Sequence, residues 1–153
     1  MSDLFKEFSD LPIYEIELGV QTEKSSRKKK EKGLNNAEIL FINENGSPVR
    51  HIPPRPVIEY AIEDADATML DAALDKAINK YIDSGFKKSE YEKELKRFAI
   101  RLQDYTRDLI YNYDKRLAPN SPFTISKKKV DHPLFDTGQL ARSITAVLKE
   151  SGK

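Results

Sequence analysis

Apolar and polar residues alternate in two short segments, one near each end of the chain. The first includes Ile13 and the segment 16–20, in which Gly19 marks a bulge or the strand end. The second carries its apolar side chains at every other position, namely Ile144, Ala146 and Leu148. Alternation of this kind is typical of a half-buried β-strand. We therefore predict one strand near each end of the sequence.

Two further candidate strands lie closer together, at 37–42 and at 49–52. The residues between them, Asn43-Glu-Asn-Gly-Ser-Pro48, favour turn geometry because Asn, Gly, Ser and Pro are the common turn formers. Short apolar runs bounded by such residues indicate strands. This pattern predicts a second and a third strand joined as an antiparallel hairpin.

Two long segments in the middle of the chain have helical periodicity. From Val57, after three prolines that preset a helical start, the apolar positions recur on one helical face as far as Ser84-Gly85, where glycine indicates the helix end. Ser89 and Glu92 form a capping-box pattern for a second helix, which Pro119 would end. The apolar positions of that helix are spaced alternately by four and three residues, as in a coiled-coil seam: Tyr91, Leu95, Phe98, Leu102, Tyr105 and Leu109.

These elements predict an α+β fold in which a small antiparallel β-sheet packs against two long α-helices. The helices are joined by about five residues, which favours an antiparallel helical hairpin. The chain of 153 residues is the length of one domain. We expect a single domain over residues 1–153, with a mobile basic loop at about 21–35 and another loop at about 119–135.

A short motif near the C-terminus has strong local signals. Pro133 stops whatever precedes it, and Asp136 can cap a helix with its carboxylate. Gln139 stands three residues later, where a capping box requires Glu or Gln. The motif predicts a short helix from Thr137 to about Arg142, followed directly by the C-terminal strand.

This motif, residues 133–145, resembles the C-terminal signature of tailed-phage neck and tail-completion proteins, which join the phage head to the tail. The preceding residues 118–124 and the triplet Lys127 to Lys129 belong to the same resemblance. A second landmark of the family, a strand that ends at a turn and an Ile-Pro-x-Arg-Pro segment that opens a helix, is similar to residues 37–47 and 52–58. The two landmarks occur in the family's order, and residues 1–36 match neither.

The resemblance implies a structural virion protein that forms a homo-oligomeric ring, most often a hexamer, at the head–tail junction. This ring would complete the tail and join it to the DNA-filled capsid. Its partners would be further copies of itself, the head–tail connector, the tail-terminator or tail-tube proteins, and DNA in the ring lumen. The chain would reside in the virion, and in the host cytoplasm during assembly. The implied assembly residues are Arg55, Asp136, Thr137, Gly138, Leu140 and Ser143.

Composition agrees with a small subunit whose neighbours complete its burial. Hydrophobic residues make up 39% and charged residues 33% of the chain, which allows one modest core and a heavily charged exterior. The formal net charge of +1 gives no global preference for nucleic acid. Cysteine is absent from the sequence, which excludes disulfides, thiolate catalysis and cysteine metal sites. No apolar run approaches the ~20 residues that cross a bilayer, and the first residues do not form a signal peptide, so we expect no membrane partner.

Two lysine-rich segments are candidates for contact with DNA or with an acidic partner. Either segment could equally be a solvated surface loop. A rival function is therefore a nucleic-acid-binding accessory protein, although the near-zero net charge and the lack of a recognised reading motif favour the structural role. A small helical-hairpin adaptor would explain the helices but not the C-terminal motif. The candidate residues are Arg27, Lys28, Lys29, Lys30, Lys127, Lys128 and Lys129.

The two histidines do not form a recognisable catalytic or metal site. His51 and His132 are each close to prolines and are separated by the two long helices. His132 lies near Asp131 and Asp136 in sequence, but no third matched ligand and no nucleophile with a base accompanies them. We therefore predict that the chain is not an enzyme and that it requires no metal or cofactor.

Residues 23–33 contain no apolar side chain, so they cannot offset the conformational entropy that ordering would cost. We expect trypsin to cut the free monomer first between Arg27 and Lys30. Limited digestion followed by mass spectrometry of the fragments measures this. Protection of these bonds, with first cleavage elsewhere, would contradict the prediction.

Overall fold

Helices dominate the fold, and strands from near the two ends of the chain form its sheet. The computed structural model describes residues 2–21 and 33–151. In chain order the elements are α1 (Ser2–Ser9), β1 (Tyr14–Val20), α2 (Asn36–Asn45), a 3-10 helix (Pro48–Arg50), α3 (Val57–Thr68), α4 (Leu70–Asp83), α5 (Lys88–Tyr111), α6 (Pro122–Lys128), α7 (Gln139–Ser143) and β2 (Ile144–Glu150).

The two strands predicted from alternation are confirmed, and they pair with each other. β1 and β2 are antiparallel, with Tyr14 opposite Glu150 and Val20 opposite Ile144. Helix α5 holds this sheet in place through side chains that bind the β2 backbone. The Arg107 guanidinium donates two hydrogen bonds to the Ile144 carbonyl, at 3.0 and 2.7 Å, and the Gln103 Oε1 accepts one from the Ala146 N–H at 3.2 Å. The predicted α+β class is therefore correct.

The predicted hairpin at 37–52 is wrong, because residues 36–45 form helix α2. The Asn35 Oδ1 accepts a hydrogen bond from the Glu38 N–H, and the Glu38 Oε2 accepts one from the Asn35 N–H. This reciprocal capping box satisfies two free donors at the helix start. A segment of six mostly apolar residues does not by itself distinguish a strand from a buried helix segment, so the capping box of Asn35 and Glu38 is the decisive signal. The expected third strand is a 3-10 helix flanked by a single bridge between Ser47 and Ile52.

The first long helix is interrupted, and the second starts and ends differently from the prediction. Met69 (φ −122°, ψ −29°) separates α3 from α4, and the Thr68 hydroxyl donates back to the Asp64 carbonyl at 2.6 Å. Such back-bonding competes with regular helix geometry. Helix α5 begins at Lys88 without a side-chain cap, so the predicted box of Ser89 and Glu92 is wrong. It ends at Tyr111, before Pro119, and Tyr113 takes a left-handed conformation (φ 52°).

The core lies where α3, α4 and the sheet pack against α5. Most of the predicted α5 seam is buried, while Tyr91 and Tyr105 are only partly buried. The buried positions of α3 and α4 are largely alanines, which allow these helices to approach α5 closely. The buried members of this packing are Ala61, Ala65, Ala73, Ala77, Leu95, Phe98, Leu102 and Leu109.

Ile144 links the short helix α7 to strand β2 and is fully buried. Replacing it with alanine removes buried methyl groups and leaves a cavity, so we expect Ile144→Ala to lower the free energy of unfolding by about 3 kcal/mol. Ile13→Ala is the matched control because Ile13 is 72% exposed, and we expect a loss below about 0.5 kcal/mol. Urea denaturation measures both variants, and equal losses would contradict the assigned core.

Candidate assembly site

The C-terminal motif forms a turn whose geometry differs from the predicted cap. The N-cap of α7 is Gly138 (φ 73°), not Asp136, and the helix spans Gln139–Ser143. The Arg142 guanidinium folds back over this turn and donates to the Thr137 carbonyl at 3.0 Å. Asp136 and Thr137 are exposed, so these two residues of the motif are available to a neighbouring molecule.

Gly138 has a role inside the subunit that its position in the sequence did not reveal. The resemblance implies that Gly138 contributes to assembly. A Cβ at this position would instead lie 2.8 Å from the Arg142 Nη1 and 3.3 Å from the Phe135 Cε2 of the same chain. The left-handed backbone also disfavours any L side chain. A bulky replacement would therefore damage folding directly.

Besides Gly138, three more of the implied assembly residues are buried within the subunit. Leu140 and Ser143 lie on the inner side of α7, and the Ser143 hydroxyl donates to the Leu140 carbonyl at 2.6 Å. Arg55 is only 6% exposed. These residues therefore position the motif, and they do not offer a surface to another subunit.

The Arg55 side chain joins three segments of the chain. Its Nε donates to the Ala118 carbonyl at 2.6 Å and its Nη2 to the Pro119 carbonyl at 2.7 Å. Its Nη1 donates to the Asn43 Oδ1 at 3.2 Å. Burial lowers the pKa of Arg55, and the nearby Asp131 carboxylate opposes this change. A guanidinium suits this position because its planar fork of donors satisfies several acceptors at once.

A cleft of about 220 Å³ lies between α2 and the motif. It brings together several residues that the sequence singled out separately, since Lys128, Asp136, Thr137, Gly138 and Leu140 all line it. Asn43, the partner of Arg55, lines the opposite side. The cleft therefore combines the C-terminal motif and the end of α2 in one site.

The lysine triplet is divided by the fold, because residues 122–128 of the expected loop form α6. The Lys128 Nζ donates to the Phe135 carbonyl at 2.7 Å, and burial lowers the pKa of Lys128 although Asp136 opposes this. Lys127 lies over the Phe123 ring, and Lys129 ends α6 in a left-handed conformation. Lys127 and Lys129 are exposed, so only they can meet a partner freely. The other cluster, Arg27 to Lys30, lies outside the described residues.

Glu44 is a notable residue that the sequence analysis missed. Its Oε1 accepts a hydrogen bond from the Ile58 N–H, and it thereby caps the start of α3 from the end of α2. Its Oε2 is buried and has no hydrogen-bond partner among the described residues. Burial raises the pKa of Glu44 to about 7, although the N–H groups at the start of α3 oppose the shift. The capping box at Asn35 was the signal that could have revealed Glu44. It indicates that helix α2 starts there, and Glu44 then lies at the end of that helix.

The two histidines occupy separate places. His51 is exposed and ends the 3-10 helix in a left-handed conformation. The His132 ring stacks on Tyr113, with 5.7 Å between ring centroids, and its Nε2 donates to the Ile110 carbonyl at 2.6 Å. The same carbonyl, in the last turn of α5, also accepts a hydrogen bond from the Tyr113 N–H at 3.2 Å. His132 thus stabilises the C-terminal end of α5.

Within residues 2–21 and 33–151, no group of three or more histidine, aspartate or glutamate side chains is arranged to hold a metal ion. In the same part of the chain, none of the helices has both the length and the apolar character needed to span a membrane. No protein-family model matches this sequence, and searches of curated proteins and of solved structures give no significant match.

Because burial raises the pKa of Glu44 from 4.5 to about 7, folding favours its protonated form. Its contribution to stability is therefore complete below pH 4.5 and is lost as the pH rises to about 7. The variant Glu44→Gln does not titrate here. As the pH rises from 4.5 to about 7, the wild type loses this stability and Glu44→Gln does not. We therefore expect the unfolding free energy of the variant minus that of the wild type to increase over this range and to stay constant above it.

Chemical denaturation at a series of pH values measures this difference. Glu63→Gln is the control, because Glu63 lines the same cleft as Glu44 but is exposed. A constant difference between Glu44→Gln and the wild type at every pH would show that Glu44 does not titrate in this range.

Proposed function

We propose that this chain is a structural virion protein that forms a ring at the head–tail junction of a tailed phage. The ring completes the tail and joins it to the DNA-filled capsid, and the chain performs no catalysis. The resemblance of residues 133–145 to the neck and tail-completion signature supports this proposal. The structural observation that carries it is the exposure of large apolar side chains near both ends of α5.

The first apolar surface belongs to α1, near the start of α5. The Tyr81 hydroxyl donates to the Glu7 carbonyl at 3.0 Å, and Phe8 packs edge-on against Tyr81 and Phe86. These contacts attach α1 to the connection between α4 and α5. Phe5 remains 84% exposed and Leu4 50% exposed. An amphipathic helix that leaves such side chains in water is suited to contact another protein.

The second apolar surface lies near the opposite end of α5. There Phe123 of α6 is 67% exposed and Val130 is 54% exposed. The contact between His132 and Ile110 places this segment beside the last turn of α5. Helix α5 has 24 residues and is therefore about 36 Å long.

Two different surfaces on one subunit suit a ring protein that has a different neighbour on each side. Under this proposal one apolar surface contacts the head–tail connector and the other contacts the tail-terminator or tail-tube protein. The exposed residues Asp136 and Thr137 contribute to the assembly contacts, while Arg55, Leu140 and Ser143 support them from inside. The chain would reside in the virion, and in the host cytoplasm before assembly.

The alternative function, nucleic-acid binding through lysine clusters, has weaker structural support. The ammonium group of Lys128 donates to the Phe135 carbonyl of the same subunit. Only Lys127 and Lys129 of the triplet are therefore exposed and available to DNA. Non-specific DNA binding depends on several neutralised phosphates, so two lysines contribute little alone. Contact with DNA in the ring lumen through Arg27 to Lys30 remains part of the proposal.

The test places Phe5→Ser, Phe123→Ser and their combination in a phage whose genome encodes this chain. Both side chains are exposed, so the melting temperature of the purified subunit should change little. We expect electron microscopy to show filled heads separated from tails, because the junction lacks its apolar contacts. Val49→Ser is the control, since Val49 is 92% exposed but belongs to neither surface.

Normal joined virions from the combined variant would contradict the role of these surfaces. Purified virions that lack the chain, as measured by mass spectrometry, would overturn the proposed function itself. If Lys127→Ala with Lys129→Ala abolished binding to duplex DNA in solution while virions assembled normally, the accessory-protein function would replace it.

A further inference from the structure

Helix α3 presents an acidic surface around an exposed isoleucine. Residues 56–75 contain six carboxylates and no lysine or arginine. Glu59, Ile62, Glu63 and Asp66 are all exposed, and their spacing of three, four and seven residues places them on one face of α3. Ile62 is 51% exposed. We call these four residues the α3 face.

An open cleft of about 550 Å³ adjoins the α3 face. Pro56, Ile58 and Ile62 supply its apolar lining, and three glutamates, Glu44, Glu59 and Glu63, also line it. The Oε2 of Glu44 is the buried oxygen without a hydrogen-bond partner among the described residues. Apolar walls with surrounding carboxylates fit a lysine or arginine side chain, whose stem is apolar and whose end is cationic.

Helix α5 presents a surface with the same spacing and the opposite charge. Lys93, Lys96, Arg97 and Ile100 are exposed and also follow one another at three, four and seven residues. Ile100 is 55% exposed. We call these four residues the α5 face. Residues 87–101 as a whole contain six basic and three acidic side chains.

Two of the three cations of the α5 face, Lys93 and Lys96, can exchange their present partners, whereas Arg97 is paired with the buried carboxylate of Glu94. Lys93 pairs with Glu90 at 3.8 Å and Lys96 with Glu92 at 2.6 Å, both within the same helix. Side chains in these pairs are substantially exposed, and exposed pairs of this kind contribute ~0–1 kcal/mol each. A second helix with carboxylates could therefore replace the present partners at little cost.

We propose that the α3 face and its cleft bind the α5 face of a second copy of this chain. In this contact carboxylates of the α3 face pair with Lys93 and Lys96, and Ile62 and Ile100 add an apolar contact beside these ion pairs. A contact between two different faces leaves one unused face on each partner. Such a contact is heterologous and continues from copy to copy until the assembly closes.

This inference deepens the proposed function by naming the lateral contact within the ring. The apolar surfaces at the ends of α5 would then serve the neighbours above and below. The two claims remain separable, because self-association is measured on the purified chain and the position in the virion is measured on particles.

The experiment is sedimentation velocity of the full chain over a range of concentrations. We expect association at low salt that weakens at high salt, because the screening length falls from about 10 Å at 0.1 M to about 3 Å at 1 M. Glu59→Ala with Glu63→Ala removes charge from the α3 face, and Lys93→Ala with Lys96→Ala removes it from the α5 face. Each pair should weaken self-association by about tenfold or more.

The mixture of the two double variants is the decisive sample. Each variant keeps the face that the other has lost, so an equimolar mixture should regain association as a one-to-one dimer without larger species. Asp10→Ala with Asp83→Ala is the matched control, since it removes two exposed carboxylates outside the α3 face and should associate as the wild type does. Circular dichroism melts confirm that every variant is folded.

Three results would overturn the inference: a wild-type chain that stays monomeric, double variants that associate normally, or a mixture that does not recover. If the α5 variant instead lost binding to duplex DNA while self-association was unchanged, the basic face would belong to nucleic acid. If the double variants were present at the head–tail junction and gave joined virions, the contact between the α3 face and the α5 face would not be needed. That result would remove only this interface and would leave the proposed function in place.

Discussion

The buried guanidinium of Arg55 is the interaction on which the arrangement of the candidate site depends. It satisfies the carbonyls of Ala118 and Pro119 and the amide oxygen of Asn43 at the same time. The end of α2, the start of α3 and the segment after α5 are therefore joined at one point. If this side chain were lost, the carbonyls of Ala118 and Pro119 would both lose their hydrogen-bond donor. A lysine has no planar fork and could not replace it.

Helix α5 is the second constraint, because the remaining elements are placed relative to it. Arg107 binds the first carbonyl of β2, and His132 binds a carbonyl at the helix end. The Tyr81 hydroxyl attaches α1 near the helix start. As a result the exposed apolar side chains lie near opposite ends of one rigid helix. A subunit with this arrangement can hold two different partners at a fixed separation, which a ring between head and tail requires.

Local signals in the sequence were reliable where one interaction dominates and misleading where two elements compete. Alternating positions at 16–20 and 144–148 correctly indicated strands, and the seam at Leu95, Phe98 and Leu102 correctly indicated buried helix. The segment 37–42 resembles a strand, because six residues carry too little periodicity, although Asn35 and Glu38 encode a helix start. The sequence indicates Asp136 as the cap, but the N-cap lies two residues later at Gly138, where the backbone is left-handed.

The sequence by itself determined the α+β class, the two strands, most of the core of α5 and the absence of cysteine chemistry. It also contained the motif that suggests an assembly role. Only the tertiary structure decided that Arg55, Leu140 and Ser143 lie inside the subunit, that Lys128 binds a carbonyl, and that Glu44 caps a helix distant in sequence. The reason is physical: periodicity reports which side of one element is apolar, whereas burial and hydrogen-bond partners depend on which other elements pack against that side.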